Sequence, residues 1–336
     1  MKRKRFGGGY DVANQNREKL LALFAKRQGE FLSGQQIADL LGLSRTAVWK
    51  HMESLRNEGF EIEAVRNKGY RLVKNSDSFS KDSILIGLHT KFMGQKLYFY
   101  DEVDSTQFVA HQKISEGATS GTVVVSELQT SGKGRLARVW DSQSGKGIWM
   151  SVILKPQIAM QKVPQFTFIA SLAVATAIEE ITKLEPQIKW PNDIYIGRQK
   201  VCGVLTEMRA EAASVEAVII GIGINVNQMT FPVEIQEKAT SLALQAGHAI
   251  SRTALIQEIL KQLEKYYQLF MAEGFRPIKL LWEDKAIPFG EKITVSTMQG
   301  QLAGFAEGIS DDGVLLVRDE SNVLHQIYSA DIDFNS

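Results

Sequence analysis

Near the start of the chain, apolar residues recur with a helical period that breaks twice. Leu20, Leu21 and Phe24 share one face of a first helix, for which Asn16 is the predicted cap. Ser33 and Gln36 have capping-box spacing and open a second helix, with Ile37, Leu40 and Leu41 as its apolar side. Gly42 stops it. Ser44 then caps a third helix from Arg45 to about Glu58, in which Val48, Met52 and Leu55 face inward. Arg45, Thr46, Lys50 and Arg56 are left on the outer side. Glu61–Val65 and Tyr70–Val73 follow as a hairpin around the basic tip Arg66-Asn67-Lys68-Gly69. The order is that of a winged helix-turn-helix. Arg45, Thr46 and Lys50 are placed to reach base edges, and Arg66, Lys68 and Arg71 to neutralise phosphates. An ordinary helical bundle with a solvated charged face has the same periodicity.

Beyond a polar stretch, Asn75–Lys81, the pattern becomes mixed α/β. Strands are predicted at Leu97–Tyr100, Thr122–Ser126, Trp149–Leu154, Ile188–Trp190, Lys200–Glu207 and Ala217–Ile222. Ser105 or Thr106 caps a helix running toward Ser115. Pro164–Lys183 is long and mostly apolar and must be buried, Ser251–Glu273 is amphipathic, and Pro277 opens a further helix. After Glu291 the text is short strands and turns: Ile293–Val295, Gln301–Gly308, Val314–Val317 and Val323–Tyr328, the content of a small β-barrel.

Charge sharpens this division. The net charge is only +1, but residues 1–75 hold 15 Lys+Arg against 8 Asp+Glu, and the remainder 24 against 30. A basic head on an acidic body points to a polyanionic partner for the head. Residues 1–12 read as a flexible extension. The single cysteine, Cys202, lies in an apolar run and reads as core. No spacing of the five histidines suggests a metal pair, so no protein-bound metal is expected. The longest apolar run, Phe166–Ile178, is too short for a membrane span of roughly 20 residues. With no signal-peptide pattern at the start, the expectation is a cytoplasmic protein without a membrane partner.

Three polar runs interrupt the body. In Gln129-Thr130-Ser131-Gly132-Lys133-Gly134-Arg135, continuing to Arg138 and Trp140, glycines alternate with cations, so backbone and charge can both approach an anion. The spacing is not that of a Walker loop. In Ile188-Lys189-Trp190-Pro191-Asn192-Asp193, an ammonium stands inside a strand-like run. It must snorkel to the surface or face an anion, and about 4 Å from a phosphate it would be worth roughly 4 kcal/mol at an effective dielectric near 20. Asp193 reads as a structural partner at the turn. Gly221-Ile222-Gly223-Ile224-Asn225 lacks the third glycine of the dinucleotide fingerprint and instead leaves room for a flat ligand against a strand. Asp104-Ser105-Thr106 offers hydroxyls at a helix start. No nucleophile elbow is present.

These runs, in this order behind a winged helix-turn-helix, resemble the bifunctional biotin–protein ligases that double as biotin operon repressors. The resemblance spans about Asn14 to Phe334. It implies an α+β protein: a winged helix-turn-helix over 13–75, a class II synthetase-like mixed α/β catalytic domain over 80–284 and an SH3-like β-barrel over 285–336. It implies activation of biotin by MgATP to biotinyl-5′-AMP, then transfer to a lysine of biotin carboxyl carrier domains. Lys189, Arg135 and Arg138 would be catalytic. Ser105, Thr106, Gln107, Gln129, Lys133, Gly134, Arg135, Lys189, Gly221 and Gly223 would meet biotin, and Arg138, Trp140, Asn192 and Asn225 the adenylate. Biotinyl-AMP would act as corepressor and promote a homodimer on two-fold operator DNA. One departure stands out: the family's first loop arginine is Lys133 here, which keeps the charge but loses the bidentate fork. A lipoate ligase, or a sensor with an inactive enzyme domain, shares much of the pattern. The cationic loop and Lys189 argue against the sensor.

Overall fold

The computed structural model describes residues 16–334, apart from 18, 25–26, 28–29, 58, 75–78, 212–213, 288, 291 and 298–299. The extension expected over residues 1–12 lies outside the described residues. The chain divides between His89 and Thr90 into two compact units.

In the first unit, Asn16 is itself helical rather than the cap of the helix that carries Leu20 and Phe24. Helices α1 (Gly34–Leu41) and α2 (Arg45–Asn57) follow. The capping box forms as spaced: Gln36 N–H donates to Ser33 Oγ (3.1 Å) and Ser33 N–H to Gln36 Oε1 (2.8 Å). Gly42 closes α1 in the left-handed conformation, and Ser44 Oγ accepts from Ala47 N–H (3.1 Å) at the start of α2. One expectation fails here. Leu40 is 61% exposed, and Ala38 takes its place beside Ile37 in the core. Strands β1 (Glu61–Val65) and β2 (Gly69–Lys74) pair antiparallel, as expected for the wing. Leu32 and Tyr70 exchange backbone hydrogen bonds of 2.8 Å in both directions, which adds a third short strand to the hairpin. Arg71 does not face outward freely. Its Nε donates to Glu63 Oε2 at 3.0 Å and its guanidinium lies 4.6 Å from the Phe31 ring centre. Helix α3 (Lys81–Ile86) belongs to this unit: Ile86 joins the core of Leu20, Phe24, Ile37, Val48, Met52 and Leu55, and Asp82 pairs with Arg17.

The second unit is built on a seven-stranded sheet. In chain order its strands are β3 (Leu97–Val103), β4 (Thr122–Gln129), β5 (Gly147–Leu154), β6 (Pro186–Lys189), β7 (Asp193–Ile196), β8 (Gln199–Glu211) and β9 (Ser214–Asn225). The spatial order is β3-β4-β5-β9-β8-β7-β6. Only β3 and β4 are parallel, joined by the crossover helix α4 (Thr106–Ser115), as a parallel pair requires. Val109, Ala110 and Ile114 of α4 pack on Val124, Ile153, Ala217 and Ile219. Helix α5 (Gln165–Thr182) is buried along most of its length, as its composition demands. It packs with α7 (Arg252–Glu273) and α8 (Phe275–Lys285) through edge-to-face rings: Phe166 on Phe270, and Phe168 on Phe275 and Trp282. The Trp282 indole N–H donates to buried Ser171 Oγ (3.0 Å). Glu264 of α7 accepts from three successive backbone N–H groups, those of Lys91, Phe92 and Met93, at 2.8 to 3.1 Å, and so fixes the turn that leads into the sheet. A short helix, α6 (Leu242–Ala246), was not foreseen.

The tail forms a five-stranded antiparallel sheet of β10 (Lys292–Thr297), β11 (Gly300–Ile309), β12 (Leu315–Asp319), β13 (Leu324–Ile327) and β14 (Asp331–Phe334) in the order β13-β12-β11-β10-β14. β13 and β14 are its two ends, so the pairing among the described residues is that of a sheet and not of a closed barrel. Cys202 is fully buried, which pushes its thiol pKa well up and leaves it a core residue. Among the described residues, no helix is long and apolar enough to cross a membrane.

The wing depends on one residue without a side chain. Gly69 has φ +109°, and a Cβ there would sit 2.1 Å from the Leu32 carbonyl oxygen. Gly69→Ala is expected to cost the first unit more than ~1 kcal/mol. Calorimetry should then show its transition moved to lower temperature while that of the second unit stays.

Candidate active site

The central strand sets the site. Side chains alternate along β9, so Ala217, Ile219, Gly221, Gly223 and Asn225 share one sheet face. The first two are covered by α4. The glycines are not, and with Gly203 of β8, paired opposite Gly223, they make a bare floor. Two side chains lie on it. A Cβ on Gly221 would meet the Gln107 amide at 3.0 Å, and one on Gly223 would meet the Trp140 indole at 2.7 Å. The room expected for a flat ligand is thus partly taken by the protein's own amide and indole.

Around this floor lies a cavity of about 480 Å³. It is lined by the residues that the resemblance assigns to biotin and adenylate: Ser105, Thr106, Gln107, Gln129, Lys133, Gly134, Arg135, Arg138, Trp140, Lys189, Asn192, Gly221, Gly223 and Asn225. Ser105 caps α4 and accepts from Gln107 N–H (3.3 Å). Thr106 donates to Gln129 Oε1 from both its N–H (2.9 Å) and its hydroxyl (3.1 Å), and receives the Ser151 hydroxyl (2.8 Å). Gln129 Nε2 continues the chain to Ser142 Oγ (2.9 Å). This network links α4, β4, β5 and the loop beyond β4. Gln107 Oε1 and Trp140 Nε1 are buried with no hydrogen-bond partner in the protein, so an acceptor and a donor stand unused at the cavity.

The glycine-and-cation loop is folded back on itself. Trp140 N–H donates to Gly132 O (2.9 Å) and Gly134 N–H to Arg138 O (2.8 Å), with the turn Arg135–Ala137 at the tip. Arg135 reaches inward to Asn192 Oδ1 (2.9 Å) and to Ser329 Oγ (3.0 Å) in the turn between β13 and β14. Lys133 and Arg138 are exposed at the rim.

Lys189 ends β6, and the turn that follows contains a cis Trp190–Pro191 peptide. Its ammonium snorkels into the cavity, 5.3 Å from the Tyr195 ring centre. Asn192 is buried and exchanges bonds with Val204, donating from Nδ2 to Val204 O (2.8 Å) and accepting Val204 N–H on its backbone carbonyl (3.0 Å). Asp193 is a structural partner, paired with Lys200 at 2.7 Å. Asn225 accepts from buried Gln228 (3.1 Å) and donates to Thr240 O (3.2 Å). Lys200, Tyr195, Gln228 and Lys238 line the same cavity and were missed. Lys200, between Gln199 and Val201, was legible only as a strand residue. It lies 5.3 Å from the Trp140 ring centre and joins that indole to Asp193.

Among the described residues no group of three or more His, Cys, Asp or Glu is placed to hold a metal. The arrangement can bind an elongated anion: a polar hydroxyl-and-amide end at α4, a bare strand in the middle, and cations at the other end.

Each part of the chain is similar to known proteins. The pattern of the Biotin/lipoate A/B protein ligase family matches residues 99–225, that of an HTH domain residues 16–71, and that of the Biotin protein ligase C terminal domain residues 289–335. The bifunctional ligase/repressor BirA of Bacillus subtilis is 51% identical over 94% of this chain and 98% of its own length, and that of Escherichia coli 27% identical over 90% and 92%. A solved structure of the biotin protein ligase from Aquifex aeolicus, in complex with biotin and ATP, superposes with a TM-score of 0.62 at 33% identity, covering 72% of this chain and 99% of that one. Carrying the ligase fold, the helix-turn-helix and the C-terminal domain together, the chain belongs to the bifunctional biotin–protein ligase and repressor family.

Proposed function

We propose that the second unit joins biotin to ATP, forming biotinyl-5′-AMP and pyrophosphate. It then transfers the biotinyl group to a lysine amine of a biotin carboxyl carrier domain, releasing AMP. The observation that carries this reading is the convergence of Lys189, Arg135, Lys133 and Arg138 with the Thr106–Gln129–Ser142 network on one cavity. In the first step a carboxylate attacks an anionic phosphate, so the chemistry needs cations and exclusion of water more than it needs a base. Lys189 would bridge the carboxylate and the α-phosphate, and Arg135, held by Asn192, would steady the phosphate. Ser105, Thr106, Gln107 and Gln129 would hold the polar ring of biotin, with its chain over Gly221 and Gly223. Trp140, Asn192, Asn225 and Arg138 would take the adenylate. The loop 129–140 would keep water from the mixed anhydride. Magnesium would enter on the nucleotide's phosphates, since the described residues make no cage for it. Lys133 in place of an arginine would hold the intermediate less tightly.

The first unit would bind operator DNA. Arg45, Thr46 and Lys50 at the exposed start of α2 would reach base edges, and exposed Arg66 and Lys68 on the wing would meet phosphates. Biotinyl-AMP would order the loops of the second unit and promote a homodimer, making the protein a cytoplasmic biotin-responsive repressor. We read the first unit as the DNA-binding domain, the second unit up to residue 284 as a class II synthetase-like domain and the open tail sheet as an SH3-like C-terminal domain.

Lys189→Ala should lower biotin-dependent ATP–pyrophosphate exchange about a thousandfold, matching a lost interaction of roughly 4 kcal/mol. Unchanged exchange would overturn the assignment, and incorporation of labelled lipoate in place of biotin would redirect it. Sedimentation should show dimers at saturating biotin and ATP but monomers without them. In binding titrations across salt, Lys68→Ala should reduce the salt slope by about one, uniformly across DNA sequences.

A further inference from the structure

Helix α2 carries a residue that neither its charge nor its core explains. Trp49 is 52% exposed, whereas Trp149, Trp190 and Trp282 are enclosed and Trp140 lines the cavity of the second unit. Its position is specific. Arg45 is the first residue of α2, so Trp49 is the fifth, four after Arg45 and three after Thr46, with Lys50 beside it. Residues so spaced are neighbours on the helix surface. Val48, Met52 and Leu55 are turned into the core, so a large indole stands in water next to Arg45 and Thr46.

We propose that Trp49 reads the 5-methyl group of a thymine in the DNA major groove. This rests on the reading of the first unit as a DNA-binding domain. In such a domain the early residues of the second helix meet base edges. Arg45 and Lys50 suit the acceptors of guanine, and Thr46 either a donor or an acceptor. Of these only Thr46, through its one small methyl, can also answer a methyl group, the one apolar feature of the groove, which thymine alone presents. The indole supplies a flat apolar surface on the same face. The cations that flank it, together with exposed Arg66 and Lys68 on the wing, favour a nucleic acid over an apolar protein partner as the occupant.

The test uses the full chain with biotin and ATP. Duplexes are selected from a random-sequence pool, and each thymine of the selected site is then replaced singly by deoxyuridine, which removes only the methyl group. At one thymine per half-site, the replacement should weaken wild-type binding about fourfold, the worth of one buried methylene. Trp49→Ala should bind less tightly overall and be indifferent to that replacement. Trp49→Phe, which keeps a ring, should retain part of the sensitivity and serves if the alanine variant does not fold. Biotin transfer by both variants should equal wild type. Enrichment of no sequence by the wild-type chain would overturn the DNA-binding reading and this proposal with it. Normal site selection with no thymine sensitive to methyl removal, or equal sensitivity in Trp49→Ala, would overturn the Trp49 proposal alone. So would normal DNA binding by Trp49→Ala combined with loss of a protein–protein contact in sedimentation.

Discussion

The second unit depends on a change in what one strand carries. Strand β9 is paired on both sides, with β5 and β8, so it cannot bend away from its neighbours. Along one face it first presents Ala217 and Ile219, which hold α4 down, and then Gly221 and Gly223, which hold nothing. Helix α4 therefore begins where the side chains stop, and its first residues look onto bare backbone. Everything polar in the site is arranged around that edge. Ser151 of β5, opposite Gly221, reaches Thr106, and Thr106 binds Gln129 at the end of β4. Gly203 of β8 doubles the width of the floor so that the indole of Trp140 can lie across both strands. Side chains at these glycines would displace Gln107 and Trp140, and with them the helix start and the loop.

The acidic total of the body does not prevent a cationic cavity, because Lys189, Lys200 and Arg135 are each placed by a local device. Lys189 and Lys200 lie over Tyr195 and Trp140, rings whose faces favour a positive charge. Lys200 has Asp193 as well. Arg135 is fixed by the neutral Asn192 and Ser329, so its charge is oriented without being cancelled. The distinction matters for adenylation. A guanidinium bonded to neutral acceptors still has full charge to offer a phosphate, whereas one bonded to a carboxylate would have to be released first.

Much of this was legible in the sequence because it is encoded locally. Ser33, Gln36, Gly42 and Ser44 write the boundaries of α1 and α2 in neighbouring residues, and the structure places the caps there. The runs of Val and Ile mark the buried strands. What escaped depends on distant partners. Leu40 has the right spacing for the core but lies outside it, since Ala38 fills the place. Strands β7 and β14 are four residues each and gain their identity from pairing with β8 and β10. Four of the five tail strands are legible in the sequence, but whether the ends of the sheet meet is a matter of pairing that composition does not record. Lys200 reads as an ordinary strand residue until Trp140, 60 positions earlier in the chain, is laid beside it.

The two units also divide the labour of charge differently, and this bears on how one small molecule could serve both activities. In the second unit, charge is enclosed and committed to a cavity. In the first, Arg66 and Lys68 stay in water and act at the range of a Debye length, about 8 Å at physiological salt. Such exposed cations give affinity for any duplex and little choice among sequences. Sequence choice must then come from groups that meet base edges at contact distance, and from the spacing imposed by a dimer. An apolar group such as Trp49 suits the first requirement because its contribution is short-ranged and insensitive to salt. The ligand-promoted dimer proposed above would suit the second, since two weakly selective heads held at a fixed spacing select a site that neither would find alone.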